Sequence, residues 1–153
     1  MPMRSLVVLL AALVLAACEP APDAETAEAP VTDLVIEDAW ARPADTSGVD
    51  RSAAYFTLRN GRAEPARLVS ARTDVARVAE IHLSFEENGV MRMRPVMDGV
   101  EVAPGEAVAF EPGGYHIMLI DLQRPLAPGD RFPLSLTFDG ADERTVEAEV
   151  RAL

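Results

Sequence analysis

The sequence is poor in the residues that most metal and redox sites use. It contains one cysteine, two histidines and no lysine, so arginine carries all the basic side-chain charge outside histidine. A single cysteine excludes an intramolecular disulfide and any site that needs two thiolates. Neither a glycine-rich nucleotide loop nor a G-x-S-x-G elbow occurs. Ser84 and Ser135 lack obvious His and acid partners, so we expect a protein that is not an enzyme.

The charge balance narrows the class of partner. Fourteen basic residues stand against 25 acidic ones, which gives a net charge of −11. A surface this acidic repels phosphate backbones, so nucleic acid is excluded as the expected partner. It favours solubility, and it attracts cations or a basic patch on another protein. Apolar residues make up 49% of the chain, which is too many for a disordered protein.

The N-terminus is typical of an export signal. Arg4 precedes an uninterrupted apolar run over 6–17, which is shorter than the ~20 residues that span a bilayer. The run ends in Leu15-Ala16-Ala17-Cys18, which resembles the lipobox of bacterial lipoproteins. The resemblance implies that residues 1–18 are a signal peptide and that the Cys18 sulfur carries a lipid. A lipidated cysteine cannot bind metal, which argues against a blue-copper electron carrier.

Two further segments follow the signal. Residues 19–33 are rich in Ala, Pro and acids, and this composition predicts a flexible linker between the lipid anchor and the folded part. Residues 34–153 form the predicted domain, and this length suits one hydrophobic core.

The domain pattern predicts an all-β fold. Short alternating runs are separated by Gly, Pro and Asn about every ten residues, which favours an antiparallel sandwich or small barrel. We expect the Asn-Gly and Asp-Gly pairs to form tight hairpin turns. Segment 71–80 could hold one helical turn. The predicted strands are 34–41, 52–59, 65–72, 78–86, 90–94, 99–103, 106–111, 115–122, 131–138 and 144–151.

The two histidines lie on strands in positions that alternation assigns away from the core. Ile81 and Leu83 flank His82, and Ile117 separates His116 from Met118, so the apolar set is expected to point inward. His116 and Met118 share a face with Cα atoms about 7 Å apart, close enough for both side chains to reach one ion.

Thioether side chains add to this pattern, because Met91 and Met93 share a face of strand 90–94. Imidazole and thioether are neutral, fairly soft ligands that suit Cu(I) and suit Mg, Ca and Mn poorly. A lone Met on a strand is more often core filler, and a lone exposed His is usually solvated. The metal interpretation therefore depends on the residues acting together.

The spacing of these residues resembles the motif of the periplasmic copper A chaperone (PCuAC) family. The similarity extends to Asn88-Gly89-Val90-Met91-Arg92-Met93-Arg94-Pro95 and to Pro112-Gly113-Gly114-Tyr115-His116-Ile117-Met118. It implies a cupredoxin-like antiparallel β-barrel or sandwich that binds one exposed Cu(I) ion per chain. The ligands that the resemblance implies are His82, Met93, His116 and Met118.

The resemblance also implies a role and a place. The chain would carry copper on the periplasmic face of a bacterial membrane as a lipid-anchored monomer. Its acceptor would be the CuA centre in subunit II of cytochrome c oxidase, reached alone or with a thioredoxin-like copper protein. One departure is that the family has 21 residues between the middle Met and the second His, whereas this sequence has one more. We place the extra residue in the turn 96–99; inside a strand it would favour Met91 or Met97 as the ligand instead.

Two other functions stay open at this point. A copper-buffering lipoprotein would have the same site and no dedicated acceptor, and an oxidase-assembly assay in a deletion strain separates the two. A structural β-sandwich lipoprotein without metal is the other, and it predicts that changing His116 and Met118 together alters no binding property.

Overall fold

The computed structural model describes residues 32–48 and 50–152. The predicted signal peptide, its Cys18 and nearly all of the predicted linker lie outside these residues. Asp33, the last residue of that linker, is bound to the domain. Its carboxylate pairs with Arg62 at 2.8 Å and with Arg144 at 3.1 Å, and these partners hold the pKa of Asp33 down at about 2. These ion pairs tie Asp33 to the folded domain.

All ten predicted strands are present, three of them with the predicted ends. A 3₁₀ turn at Asp139–Ala141 precedes the last strand, and segment 71–80 contains the end of one strand and the start of the next rather than a helical turn. The strands are β1 Leu34–Ala41, β2 Arg51–Asn60, β3 Ala66–Thr73, β4 Ala76–Glu87, β5 Val90–Pro95, β6 Val100–Val102, β7 Ala107–Phe110, β8 Tyr115–Leu122, β9 Arg131–Phe138 and β10 Glu143–Val150.

The strands form one ten-stranded sheet in the order β5-β4-β8-β7-β2-β1-β10-β9-β3-β6, and β8 also pairs with β2. Most neighbours are antiparallel, as predicted. Two pairs depart from this, because β1 runs parallel to β10 and β7 meets β8 in a parallel bridge. A parallel pair needs a long connection. For β1 and β10 the rest of the domain is that connection, so the beginning and end of the domain lie side by side.

The core comes from strands that alternate with period two. In β9, Phe132, Leu134, Leu136 and Phe138 are all buried, and each such side chain contributes roughly 1.5–3 kcal/mol by leaving water. The same cluster draws on every strand except β5. All six residues of β5 are exposed, so this strand projects beside the core and is held by its pairing with β4.

The two Asn-Gly pairs have different structures. Asn88 and Gly89 both have positive φ, 54° and 77°, and they form the predicted two-residue hairpin between β4 and β5. Asn60-Gly61 is not such a hairpin, and that prediction was wrong. Asn60 ends β2 fully buried, where its side-chain amide donates to the carbonyls of Glu64 and Val102 and accepts from the Arg62 amide.

We predict that Asn60→Ala lowers the free energy of unfolding by about 1–3 kcal/mol, because it leaves buried carbonyl groups without a donor. Urea denaturation of the domain measures the loss. Asn88→Gly is the matched control, since it changes the other Asn-Gly pair at an exposed turn where Gly also adopts positive φ. Equal stability of Asn60→Ala and Asn88→Gly would contradict this role of Asn60.

Candidate metal centre

The two histidines face each other across neighbouring strands. The register of β4 and β8 places His82 opposite His116 and Ile81 opposite Ile117. Ile81 and Ile117 are buried in the core, so alternation puts both imidazoles on the other side of the sheet, as predicted. The ring centroids lie 5.9 Å apart. This pairing brings two imidazoles from separate strands close enough for both to reach one ion.

His116 has a defined tautomer. Its Nδ1 lies 3.1 Å from the Gly114 carbonyl oxygen, which can only accept, so Nδ1 carries the proton and donates it there. Burial lowers the pKa of His116, the bond to Gly114 opposes the shift, and nearby His82 adds to it. The ring is therefore neutral at pH 7. Its Nε2 consequently carries an unshared electron pair.

The Met93 sulfur lies next to that electron pair. The Met93 Sδ lies 3.2 Å from His116 Nε2, and neither atom has a proton to donate to the other. Two electron-pair donors at this distance gain little from each other, whereas a cation shared between them would bind both. Met93 reaches His116 over Ser84, its partner in the β4–β5 pairing. The small Ser84 side chain leaves room for this path.

His82 also points an unpaired nitrogen inward. Its Nε2 lies 3.0 Å from a Glu80 carboxylate oxygen, so Nε2–H donates to Glu80 when the ring is neutral. The Nδ1 atom is then the acceptor, and it is buried without a hydrogen-bond partner. A buried electron pair without a partner is costly. A metal ion is one group that would satisfy it.

Met118 lies on the same strand face as His116 and is half-buried. In the sheet it stands between Glu80 of β4 and Ala53 of β2. We call the cavity of about 430 Å³ beside it the site cavity. Three of the predicted ligands, Met93, His116 and Met118, line this cavity, and so do Arg42, Pro43, Arg51, Ser52, Ala53, Tyr55, Ser84, Pro112 and Gly113.

The two histidines are more deeply buried than the sequence analysis predicted, because it expected an exposed site. His116 is 5% exposed and the His82 side chain 14%, because both lie on central strands that have neighbours on each side. The Met93 thioether on β5 forms the exposed side of the candidate site, because this side chain is 50% exposed. The reserve candidates lie farther out: Met91 is 58% and Met97 86% exposed. Residues 96–99 form the turn after β5, and the extra residue does not turn Met93 away from His116.

The sequence analysis did not identify three groups that support the histidines and Met93. Glu80 fixes the orientation of His82, the Gly114 carbonyl fixes that of His116, and Ser84 makes room for Met93. Glu80 had a signal, because it precedes His82 by two residues and so shares its strand face. Within the described residues, no three His, Cys, Asp or Glu side chains come together as a metal site. The four predicted ligands, which we call the cluster, supply two imidazoles and two thioethers and no carboxylate or thiolate.

Comparisons with known proteins show the family and the fold. A family model described as "Putative lipoprotein LpqE-like" matches residues 34–150. An uncharacterized protein of Rickettsia prowazekii is 36% identical over 113 residues, which are 72% of this chain and 62% of the relative, so the match spans less than two thirds of that protein. A protein of Leifsonia xyli subsp. xyli, also named as a lipoprotein, is 28% identical over 76% of this chain and 68% of its own length.

Solved structures confirm the expected cupredoxin-like β fold. The copper-bound PCuAC domain from PmoF2 is 27% identical, with a TM-score of 0.65 over 80% of this chain and 96% of that domain. The Cu(I)-bound solution structure of DR1885 from Deinococcus radiodurans is also 27% identical, with a TM-score of 0.56 over 80% of this chain and 83% of that one.

We predict that Ser84→Leu weakens Cu(I) binding about tenfold or more, because a branched side chain at position 84 blocks the path of Met93 to His116. A competition titration with a Cu(I) chelator under anaerobic conditions measures the change. Ser84→Ala is the matched control and should bind as the wild type does, since it stays small. If the Leu and Ala variants bind alike, Met93 does not act through this path.

Proposed function

This chain belongs to the LpqE-like family, and from that premise we propose that it is a Cu(I) carrier whose ligands are His82, Met93, His116 and Met118. One observation carries the proposal: the His116 Nε2 electron pair and the Met93 sulfur face each other at 3.2 Å. Copper-bound and Cu(I)-bound proteins with the same fold and 27% identity support the choice of metal.

The ligand chemistry favours the reduced ion. Two imidazoles and two thioethers bring no negative charge, so the loaded site carries only the charge of its ion. Soft thioether sulfur prefers Cu(I), and a neutral ligand set stabilises a monovalent ion more readily than a divalent one. We propose one Cu(I) ion per chain, because the cluster contains the only two histidines of the sequence.

The geometry suits transfer rather than permanent storage. Glu80 and the Gly114 carbonyl hold the imidazoles through hydrogen bonds. Met93, by contrast, lies on an exposed strand and is itself half exposed. An incoming ligand from an acceptor can attack the ion from the Met93 side. The sulfur can then leave first, while the two nitrogens still hold the ion. This order needs no bond chemistry on a substrate, and a carrier role follows.

The cellular setting completes the proposal. Family and relative are both named as lipoproteins, which supports a lipid anchor at Cys18. The anchor and the linker up to residue 33 would hold the carrier at the periplasmic face of a bacterial membrane. The CuA centre of cytochrome c oxidase subunit II is the acceptor that we propose, with a thioredoxin-like copper protein as a possible intermediary. The described residues contain no helix long and apolar enough to cross a membrane.

We predict that Met93→Ala and His82→Ala each weaken Cu(I) binding at least tenfold, since each removes one of four ligands. Anaerobic titration of the 19–153 fragment measures the affinity, and X-ray absorption of the loaded wild type should report both nitrogen and sulfur neighbours. Met97→Ala is the matched control, because this methionine is 86% exposed and lies outside the cluster. Full affinity in Met93→Ala would remove Met93 from the ligand set.

We predict that Cu(I) affinity falls as the solution becomes acidic, because copper and a proton compete for the same imidazole electron pairs. The sequence alone places this fall near pH 6.5, the ordinary imidazole value. Since burial lowers the pKa of His116, a proton competes at this nitrogen only below that value, and the fall should continue to lower pH. Chelator competition from pH 5 to 8 measures it. A constant affinity over that range would exclude histidine ligands.

A further inference from the structure

Among the described residues of this acidic chain, some arginines form ion pairs with acidic side chains and others do not. Across residues 32–48 and 50–152, most arginines form an ion pair with an Asp or Glu within 4.0 Å. Arg42, Arg51 and Arg94 form none with the described residues. Arg94 instead places its guanidinium over the Phe85 ring at 5.8 Å. Two guanidinium groups are thus left without an acidic partner in the described structure.

Both of these residues lie at the site cavity. Arg42 and Arg51 line it together with Met93, His116 and Met118, and no Asp or Glu is among the lining residues. The Arg42 backbone is fixed there, because its amide donates to the Ala53 carbonyl at 3.0 Å and its carbonyl accepts from the Ser52 hydroxyl at 2.7 Å. Arg51 pairs with Ile120, two residues beyond Met118 on β8. The mouth of the cavity is therefore cationic.

A cationic mouth does not help to hold a cationic cargo. Two guanidinium charges repel Cu(I), and their sign is opposite to that of the chain as a whole, whose net charge is −11. We therefore expect the two arginines to interact with a negatively charged group that approaches the cavity from outside. Arginine is well suited to such a group, since its planar fork binds a carboxylate through two parallel hydrogen bonds.

We propose that Arg42 and Arg51 dock an acidic patch of the protein that exchanges copper with this chain. The inference rests on the proposed function, because it assigns the arginines to copper exchange at that site. Charges are screened within about 8 Å at physiological ionic strength. The two arginines therefore act locally, whereas the acidic body repels the same partner in every other orientation. Docking is favoured only when the site cavity faces the partner's copper ligands.

The test uses the full chain and a synthetic Cu(I)-binding peptide made in two forms, one flanked by Asp and Glu and the other by Asn and Gln. Stopped-flow measurement follows copper transfer from the loaded chain to each peptide. We expect transfer to the acidic form to be about tenfold faster at physiological ionic strength, where the charge of the acidic body is screened, and the preference to disappear in high salt. The double variant Arg42→Gln/Arg51→Gln should lose the preference.

The control is Arg72→Gln/Arg131→Gln, which removes the same charge from β3 and β9 and should keep the preference. Equal rates to both peptides in the wild type, or an unchanged preference in Arg42→Gln/Arg51→Gln, would overturn the inference. Loss of the preference in acetate, compared with chloride at equal ionic strength, would assign the arginines to a small anion and overturn protein docking.

A second measurement separates the inference from the function. Fluorescence anisotropy of the labelled, copper-free acidic peptide reports docking to the copper-free chain, and Cu(I) titration reports the cargo. If the peptide binds through Arg42 and Arg51 while the titration shows no copper, the carrier function fails and the acidic-partner site stands. If copper binds and neither peptide is preferred, the carrier function stands and the docking inference fails.

Discussion

The structure depends on the register between β4 and β8. This pairing sets His82 opposite His116 and, one residue away, Ile81 opposite Ile117. A slip of one residue in either strand would turn its histidine into the core and its isoleucine out. The burial of Ile81 and Ile117 opposes any such slip, because exposing an isoleucine costs roughly 1.5–3 kcal/mol. Hydrophobic burial on one face of the sheet thus holds the two imidazoles in place on the other.

The polar groups around the imidazoles decide which nitrogen is available. His116 donates a hydrogen bond from Nδ1–H to the Gly114 carbonyl, and His82 donates one from Nε2–H to Glu80. The two rings therefore keep different nitrogens free of a proton, Nε2 in His116 and Nδ1 in His82. Supporting hydrogen bonds of this kind usually orient metal-binding histidines and raise their basicity. Here they fix the orientation of both rings.

Rigid and open parts of the cluster come from different parts of the fold. The histidines lie on central strands and are largely buried. Met93 lies on β5, which is exposed along its whole length and adds no residue to the core. The arrangement of two buried imidazoles and one exposed sulfur is the basis of the proposed carrier function. The unpaired Arg42 and Arg51 beside it give this opening a charge opposite to that of the rest of the chain.

The amino-acid sequence by itself determined the strands and the faces of their side chains. Alternation with period two is a local property, so β8 and the outward position of His116 and Met118 could be predicted from neighbouring residues. Which residues stand opposite each other is decided by pairing between distant segments. Only the tertiary structure could therefore place the Met93 sulfur against His116, bury Asn60 at the end of β2, and bring Glu80 and the Gly114 carbonyl to the histidines. Burial also depends on how many strands lie on each side, which is why the histidines are less exposed than the local pattern indicated.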